Sequence, residues 1–185
     1  MSEGQIRVRV ATAADVPALR ELIPESVRAL SRGYYTPRQI ESAIRHVFGV
    51  DTQLIEDGTY FVAHAGAEIA GCGGWSRRNT LYGGDQMKSG PDPLLDPATE
   101  PARIRAFFVR AEFARRGVGS RIMEACVAAA RAEGFRALEL AATLPGEPLY
   151  RAFGFTALER LDTVQPDGVA VPFIRMGRAL EGELG

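Results

Sequence analysis

The sequence predicts an α/β domain with a mixed sheet, and three observations predict it. Short alternating or apolar runs of strand length are interspersed with helix-period segments along most of the 185 residues. The runs at 104–109 and 137–143 are joined by a long amphipathic helix, which makes them parallel neighbours. The run pairs at 60–75 and 155–176 are joined by tight turns, which makes each an antiparallel hairpin. The composition agrees. With 46% apolar and 24% charged residues the chain has the balance of a globular domain and enough length for a full core. A net charge of −1 argues against a protein held on nucleic acid by its overall field. No apolar run approaches the roughly 20 residues that cross a membrane, and residues 1–5 are polar, without the plan of a signal peptide. Two cysteines, Cys72 and Cys126, form neither a CxxC pair nor a disulfide framework, so the expected compartment is the reduced cytoplasm.

The elements follow in order. Residues 6–10 alternate as a strand. Thr12 to Asp15 reads as a capping box with Asp in the place of Glu, opening a helix through Leu19, Leu22 and Ile23. Thr36-Pro37-Arg38-Gln39 is a stronger start, with an N-cap threonine, proline at the first helical position and glutamine at the third. That helix should end near Gly49. After the Asp57-Gly58 turn come the strands at 60–63 and 68–75. The second holds Gly71, Gly73 and Gly74, which points to a bend or to something approaching the backbone closely. Residues 76–101 lose all periodicity, carry four prolines and read as a long loop, a kind that is usually functional or disordered. A strand at 104–109, a helix over 117–133 ending at Gly134, a strand at 137–143, a short helix around Tyr150 and a closing hairpin complete the chain.

The segment that carries chemistry runs from Phe108 to Ser120. A strand leads into a basic, glycine-containing loop and a helix starts directly after it. A helix N-terminus presents unpaired N–H groups and about half a positive charge, so an anion such as a pyrophosphate can sit on its amides where glycine lets it approach. Arg115 and Arg116 add positive charge beside it. A side chain at Gly119 is expected to intrude on the phosphate. A Walker A loop is absent, and the dinucleotide fingerprint fails at its third glycine, where Ile122 stands.

This segment resembles the phosphate loop of the GNAT superfamily of acetyl-CoA-dependent N-acetyltransferases, Gln/Arg-x-x-Gly-x-Gly/Ala after a strand ending in valine. Val109 and the run Ala114-Arg115-Arg116-Gly117-Val118-Gly119 occupy those places, with Ala114 where Gln or Arg is usual. Farther on, Tyr150 followed by Gly154-Phe155 is similar to the second signature of the superfamily. The resemblance implies a single domain over residues 5–180. Its central sheet would be mostly antiparallel with a splayed parallel pair, and helices would cover both faces. It implies acetyl-CoA as co-substrate and an amine of a small molecule or peptide as acceptor. Phe107, Phe108 and Val109 would pair with the pantetheine arm, with Val109 N–H polarising the acetyl carbonyl. Arg115, Arg116, Gly117, Val118, Gly119 and Ser120 would hold the pyrophosphate. Tyr150 would protonate the departing thiolate. No metal, nucleic acid or membrane is implied, and a homodimer is compatible.

Departures from the pattern define the open points. Thr143 and Gly146 replace the asparagine and alanine common before the tyrosine, and Pro145 and Pro148 shorten its helix. The strand at 104–109 has no acid, so the general base is water or a residue elsewhere, with Glu100, Asp85 and Glu139 as candidates. The alternative to an enzyme is an acyl-CoA-binding module without turnover. Cys126 reads as a packed hydrophobe and Cys72 similarly; His46 and His64 lack ligand spacing. Arg77 and Arg78 either clamp an anionic acceptor or are solvated. Tyr34 and Tyr35 either form an acceptor wall or pack on the sheet.

Overall fold

The computed structural model describes residues 4–180; residues 1–3, part of the polar start, and residues 181–185 lie outside the described residues. One seven-stranded sheet organises them, built from β1 (Ile6–Val10), β2 (Tyr60–Ala65), β3 (Glu68–Ser76), β4 (Ala102–Val109), β5 (Ala137–Ala142), β6 (Thr156–Val164) and β7 (Ala170–Ala179) in the order β1-β2-β3-β4-β5-β7-β6. Only β4 and β5 run parallel, and they pair solely at Ala102–Leu138 and Arg103–Glu139 before they part. Every other pairing is antiparallel.

Helices cover both faces, as the resemblance implies. On one side α4 (Val118–Ala132) lays Ile122, Met123, Cys126 and Ala130 on Ala70, Ile104, Leu138 and Leu140. Side chains such as Ile122 and Leu138, fully buried, contribute roughly 1.5–3 kcal/mol each. On the other side α1 (Val16–Leu30), α2 (Pro37–His46) and α3 (Thr52–Glu56) pack Leu22, Ile40 and Leu54 on Tyr60, Val62 and Phe173. The α2 start is as read: Thr36 Oγ1 accepts from Gln39 N–H at 3.1 Å and Gln39 returns a bond to Thr36 N–H at 2.9 Å. The Asp variant of the capping box also forms, with Thr12 N–H donating to Asp15 at 2.8 Å. Helix α3 was not anticipated, because five residues carry too little periodicity; its start is capped by Asp51, whose carboxylate accepts from Gln53 N–H.

The glycines of β3 are explained by close approach. A Cβ at Gly71 would lie 2.7 Å from Val118 Cγ1, so glycine there lets α4 begin directly on the sheet. A Cβ at Gly73 would lie 2.7 Å from the Phe107 ring. Opposite Gly73, β4 carries a bulge: Cys72 faces Phe108 and Gly74 faces Arg105, so two residues of β4 stand against one of β3. Ala106 takes φ +54° there, and its carbonyl accepts from the Tyr60 hydroxyl at 2.8 Å. The bulge turns the end of β4 away from β5 and opens the wedge between them.

Candidate active site

The wedge has a backbone side and a side-chain side. On the backbone side, Arg115 and Gly117 adopt φ +62° and +81°, and α4 makes its first hydrogen bond from Arg121 N–H to Gly117 O. The N–H groups of residues 115–120 therefore have no backbone acceptor among the described residues. Left-handed and helical residues in close succession turn such amides toward one point, an anion-binding nest. Arg115, Arg116 and Gly117 are exposed, so the nest opens to solvent, while Val118 and Gly119 are buried against the sheet and α5 (Glu147–Ala152). The Arg116 guanidinium lies 5.9 Å from the Phe113 ring centre.

A Cβ at Gly119 would lie 3.0 Å from Leu149 Cδ2 on α5. A larger residue at Gly119 would press on the Leu149 side chain, one position from Tyr150 on α5.

Alternation along β4 orients its last amides. Arg110 N–H donates to Ala70 O on β3 at 2.8 Å, so Val109 N–H turns the other way, into the wedge. The Val109 carbonyl is held by the Ser26 hydroxyl of α1 at 2.6 Å.

On the side-chain side, a cavity of ≈ 60 Å³ is lined by Phe107, Phe108, Tyr150, Phe48, Tyr82 and Phe173 among others. Two of the three tips read for the pantetheine strand thus meet the tyrosine in one place. Tyr150 packs edge-on against Phe107 at 6.2 Å and against Phe155 at 6.1 Å. Its hydroxyl makes no hydrogen bond among the described residues, so it is not tied to backbone. Burial, with a smaller effect from Cys126, raises its pKa above the ordinary phenol value and keeps the proton in place. Pro148 sits in the first turn of α5 and Gly146 caps it, so the helix is as short as the prolines require.

The loop before α5 is positioned by Tyr35. Its hydroxyl donates to Pro172 O at 2.7 Å and accepts from Leu144 N–H at 3.0 Å; Tyr34 is exposed. Neither residue lines the cavity, and the aromatic wall there is Phe48, Tyr82, Phe108 and Phe173.

A family model described as Acetyltransferase (GNAT) family matches residues 23–155, most of the chain, including both strands of the wedge and Tyr150. The chain belongs to the GNAT acetyltransferase family. Solved structures with the same fold include a GCN5-related N-acetyltransferase from Rhodopseudomonas palustris (17% identity, 97% of this chain and 99% of that one, TM-score 0.71). An N-acetyltransferase from Staphylococcus aureus is similar at 16% identity, 96% and 99% coverage and TM-score 0.64. The PaiA N-acetyltransferase from Thermoplasma acidophilum, solved in complex with coenzyme A, aligns at 14% identity over 95% of this chain and 99% of that one, TM-score 0.63. No curated protein matches the sequence.

None of the proposed bases lines the cavity. Glu139 is shared by Arg103 at 3.1 Å and Arg175 at 3.0 Å. Asp85 accepts from Thr52 N–H and Oγ1, and Glu100 accepts from Asp96 N–H. Arg77 and Arg78 are neither clamp nor simply solvated: Arg77 pairs with Glu133 and lies over Trp75, and Arg78 pairs with Asp57 at 2.7 Å. Both thiols are buried; burial pushes Cys72 up to about 12 and raises Cys126 as well.

Sequence reasoning missed Arg105, which among the described residues carries the only charge in the cavity lining. It is buried on β4, bonds Asp51 at 2.8 Å and reaches the carbonyls of Thr80 and Gly83 at 3.2 and 2.6 Å. Asp51 also pairs with Lys88. This cluster fastens the 80–88 loop over the cavity. Two arginines, Arg103 and Arg105, inside a strand whose other residues are apolar were the available signal.

Proposed function

We propose that this protein transfers an acetyl group from acetyl-CoA directly to an amine, acting as one domain over residues 5–180 in the cytoplasm. The observation that carries the reading is the run of acceptor-free amides at 115–120 beside a cavity lined by Phe107, Phe108 and Tyr150. Those amides, with Arg115 and Arg116, suit a pyrophosphate, and their fit to that group rests on the unpaired N–H row itself. Phe107, Phe108 and Val109 end β4 at the wedge, where an extended arm would pair with the backbone groups that alternation leaves free of β3, and Val109 N–H is the donor for the acetyl oxygen. The amine lone pair bonds to the carbonyl carbon, the C–S bond breaks with its electron pair passing to sulfur, and Tyr150 gives the sulfur a proton. The proton shed by nitrogen returns to the tyrosine through solvent. Holding the two reactants together accounts for most of the acceleration.

The experiment is calorimetry with coenzyme A and amine-dependent release of free thiol from acetyl-CoA. Binding together with amine-dependent release is the expected result. Binding without turnover on any amine would favour the second reading, a non-catalytic acyl-CoA-binding module, which the lack of a carboxylate in the cavity lining supports.

A further inference from the structure

We infer that the acceptor is an apolar monoamine with an aromatic body, taken up as the uncharged amine; the inference rests on the acetyl-transfer reading above and names its substrate class. The acceptor side of the cavity is a ring cluster assembled from four segments. Phe48 meets Phe108 at 5.8 Å and Phe173 at 5.9 Å, both edge-on, and Tyr82 lies tilted over Phe173 at 5.5 Å. Phe48, Tyr82 and Phe108 remain partly exposed although each stands on the core, so an apolar surface is kept open to a ligand. The cavity opens to solvent beside these rings, so the body of the acceptor lies against them.

The electrostatics disfavour acceptors that carry further positive charge. Among the described residues no Asp, Glu, Lys or His lines the cavity, and the charge that does, Arg105, is itself a cation. Asp51, which Arg105 holds, already gives one oxygen to Arg105 and the other to Lys88. Glu139, on the strand that supplies Ala141 to the lining, is shared between two arginines. An ammonium entering here would lose its water and gain no anion, and ring faces alone offset little of that cost. A polyamine or an aminoglycoside would strand further charges. A monoamine sheds its proton on entry, because desolvation lowers an amine's pKa. That removes the need for a dedicated base, which the carboxylates of this chain do not supply. The nitrogen then bonds to the acetyl carbon as the C–S bond breaks, with the protons balanced as above.

The test measures thiol release from acetyl-CoA with 2-phenylethylamine, spermidine and a short lysine-containing peptide. A kcat/KM at least tenfold higher for 2-phenylethylamine is expected. Tyr82→Ala should raise its KM about tenfold with the acetyl-CoA KM unchanged, and Tyr82→Phe should keep the parent value. Tyr82→Glu, which places a carboxylate at the mouth, should move the preference toward spermidine by at least tenfold. Preference of the parent protein for spermidine or the peptide, or an unchanged KM in Tyr82→Ala, overturns the inference and leaves acetyl transfer standing. Turnover of none of the three amines, with coenzyme A still bound, overturns both.

Discussion

The two sides of the β4–β5 wedge are built from different materials. The nest at 115–120 is contiguous chain, and its binding groups are backbone amides aimed by two positive-φ residues. The acceptor wall is a meeting of side chains from the end of α2, the 80–88 loop, the β4 bulge and β7. A backbone site is insensitive to most substitutions and yields only to those that change φ. A side-chain site yields to single substitutions, and its shape depends on whatever holds its segments in place. Recognition of an invariant co-substrate suits the first, and recognition of a variable acceptor suits the second.

The strongest way to break this contrast is at the fastening of the wall. Asp51→Asn leaves the buried Arg105 guanidinium without its anion and weakens the cap of α3, so a loss of about 3–5 kcal/mol is expected. Urea denaturation measures it; a loss below 1 kcal/mol would mean that the 80–88 loop is held by its other contacts. Next comes the tyrosine between the two sides. Tyr150→Phe should lower kcat by about 10², the low end for a general acid because a thiolate already leaves well, with coenzyme A affinity little changed. Since burial raises its pKa, the parent rate should hold up to about pH 10, where an ordinary phenol ionises. A decline setting in well below that pH, or parent-like turnover in Tyr150→Phe, would remove the residue from the proton path.

Two smaller effects sharpen the comparison from the nest. Gly117 has nothing within 4 Å of a built Cβ, so Gly117→Val acts through φ alone. A strain of about 1–2 kcal/mol should weaken coenzyme A binding roughly tenfold in calorimetry while the thermal midpoint barely moves. Gly119→Val, by contrast, should lower kcat through Leu149 and α5; equal kcat in the two variants would refute that distinction. The smallest change is expected for Arg116→Ala, about two- to fivefold in coenzyme A affinity, fading as salt rises because the side chain is exposed.

The same contrast decides what could be read in advance. The nest and the Tyr150 helix were legible because their signals are local: glycines after a strand, two prolines before a tyrosine. The parallel pair and the two hairpins followed from where a long helix and tight turns connect strands, and the helices on both faces from the family resemblance. The wall was illegible because Phe48, Tyr82 and Phe173 look like ordinary core aromatics until the fold brings them together. Tyr34 and Tyr35 drew attention instead because they are adjacent in sequence, yet Tyr35 proves to be a brace between β7 and the loop after β5. Arg105 registered only as a missing acid, since its partner Asp51 comes from a helix too short to show a period.

The two cysteines lie on opposite sides of the sheet, Cys126 on the buried face of α4 and Cys72 on β3 beneath α1 and α2. Each is sealed from solvent and held as the unreactive thiol, so an alkylating reagent reaches either one only when the layer above it lifts. The molecule therefore carries a pair of native timers. The labelling rate of Cys126 reports excursions of the layer that begins at the nest, and that of Cys72 reports excursions of the layer that ends at the acceptor wall. Mass spectrometry of the two peptides, with and without coenzyme A or amine, would show which half of the protein each ligand quiets.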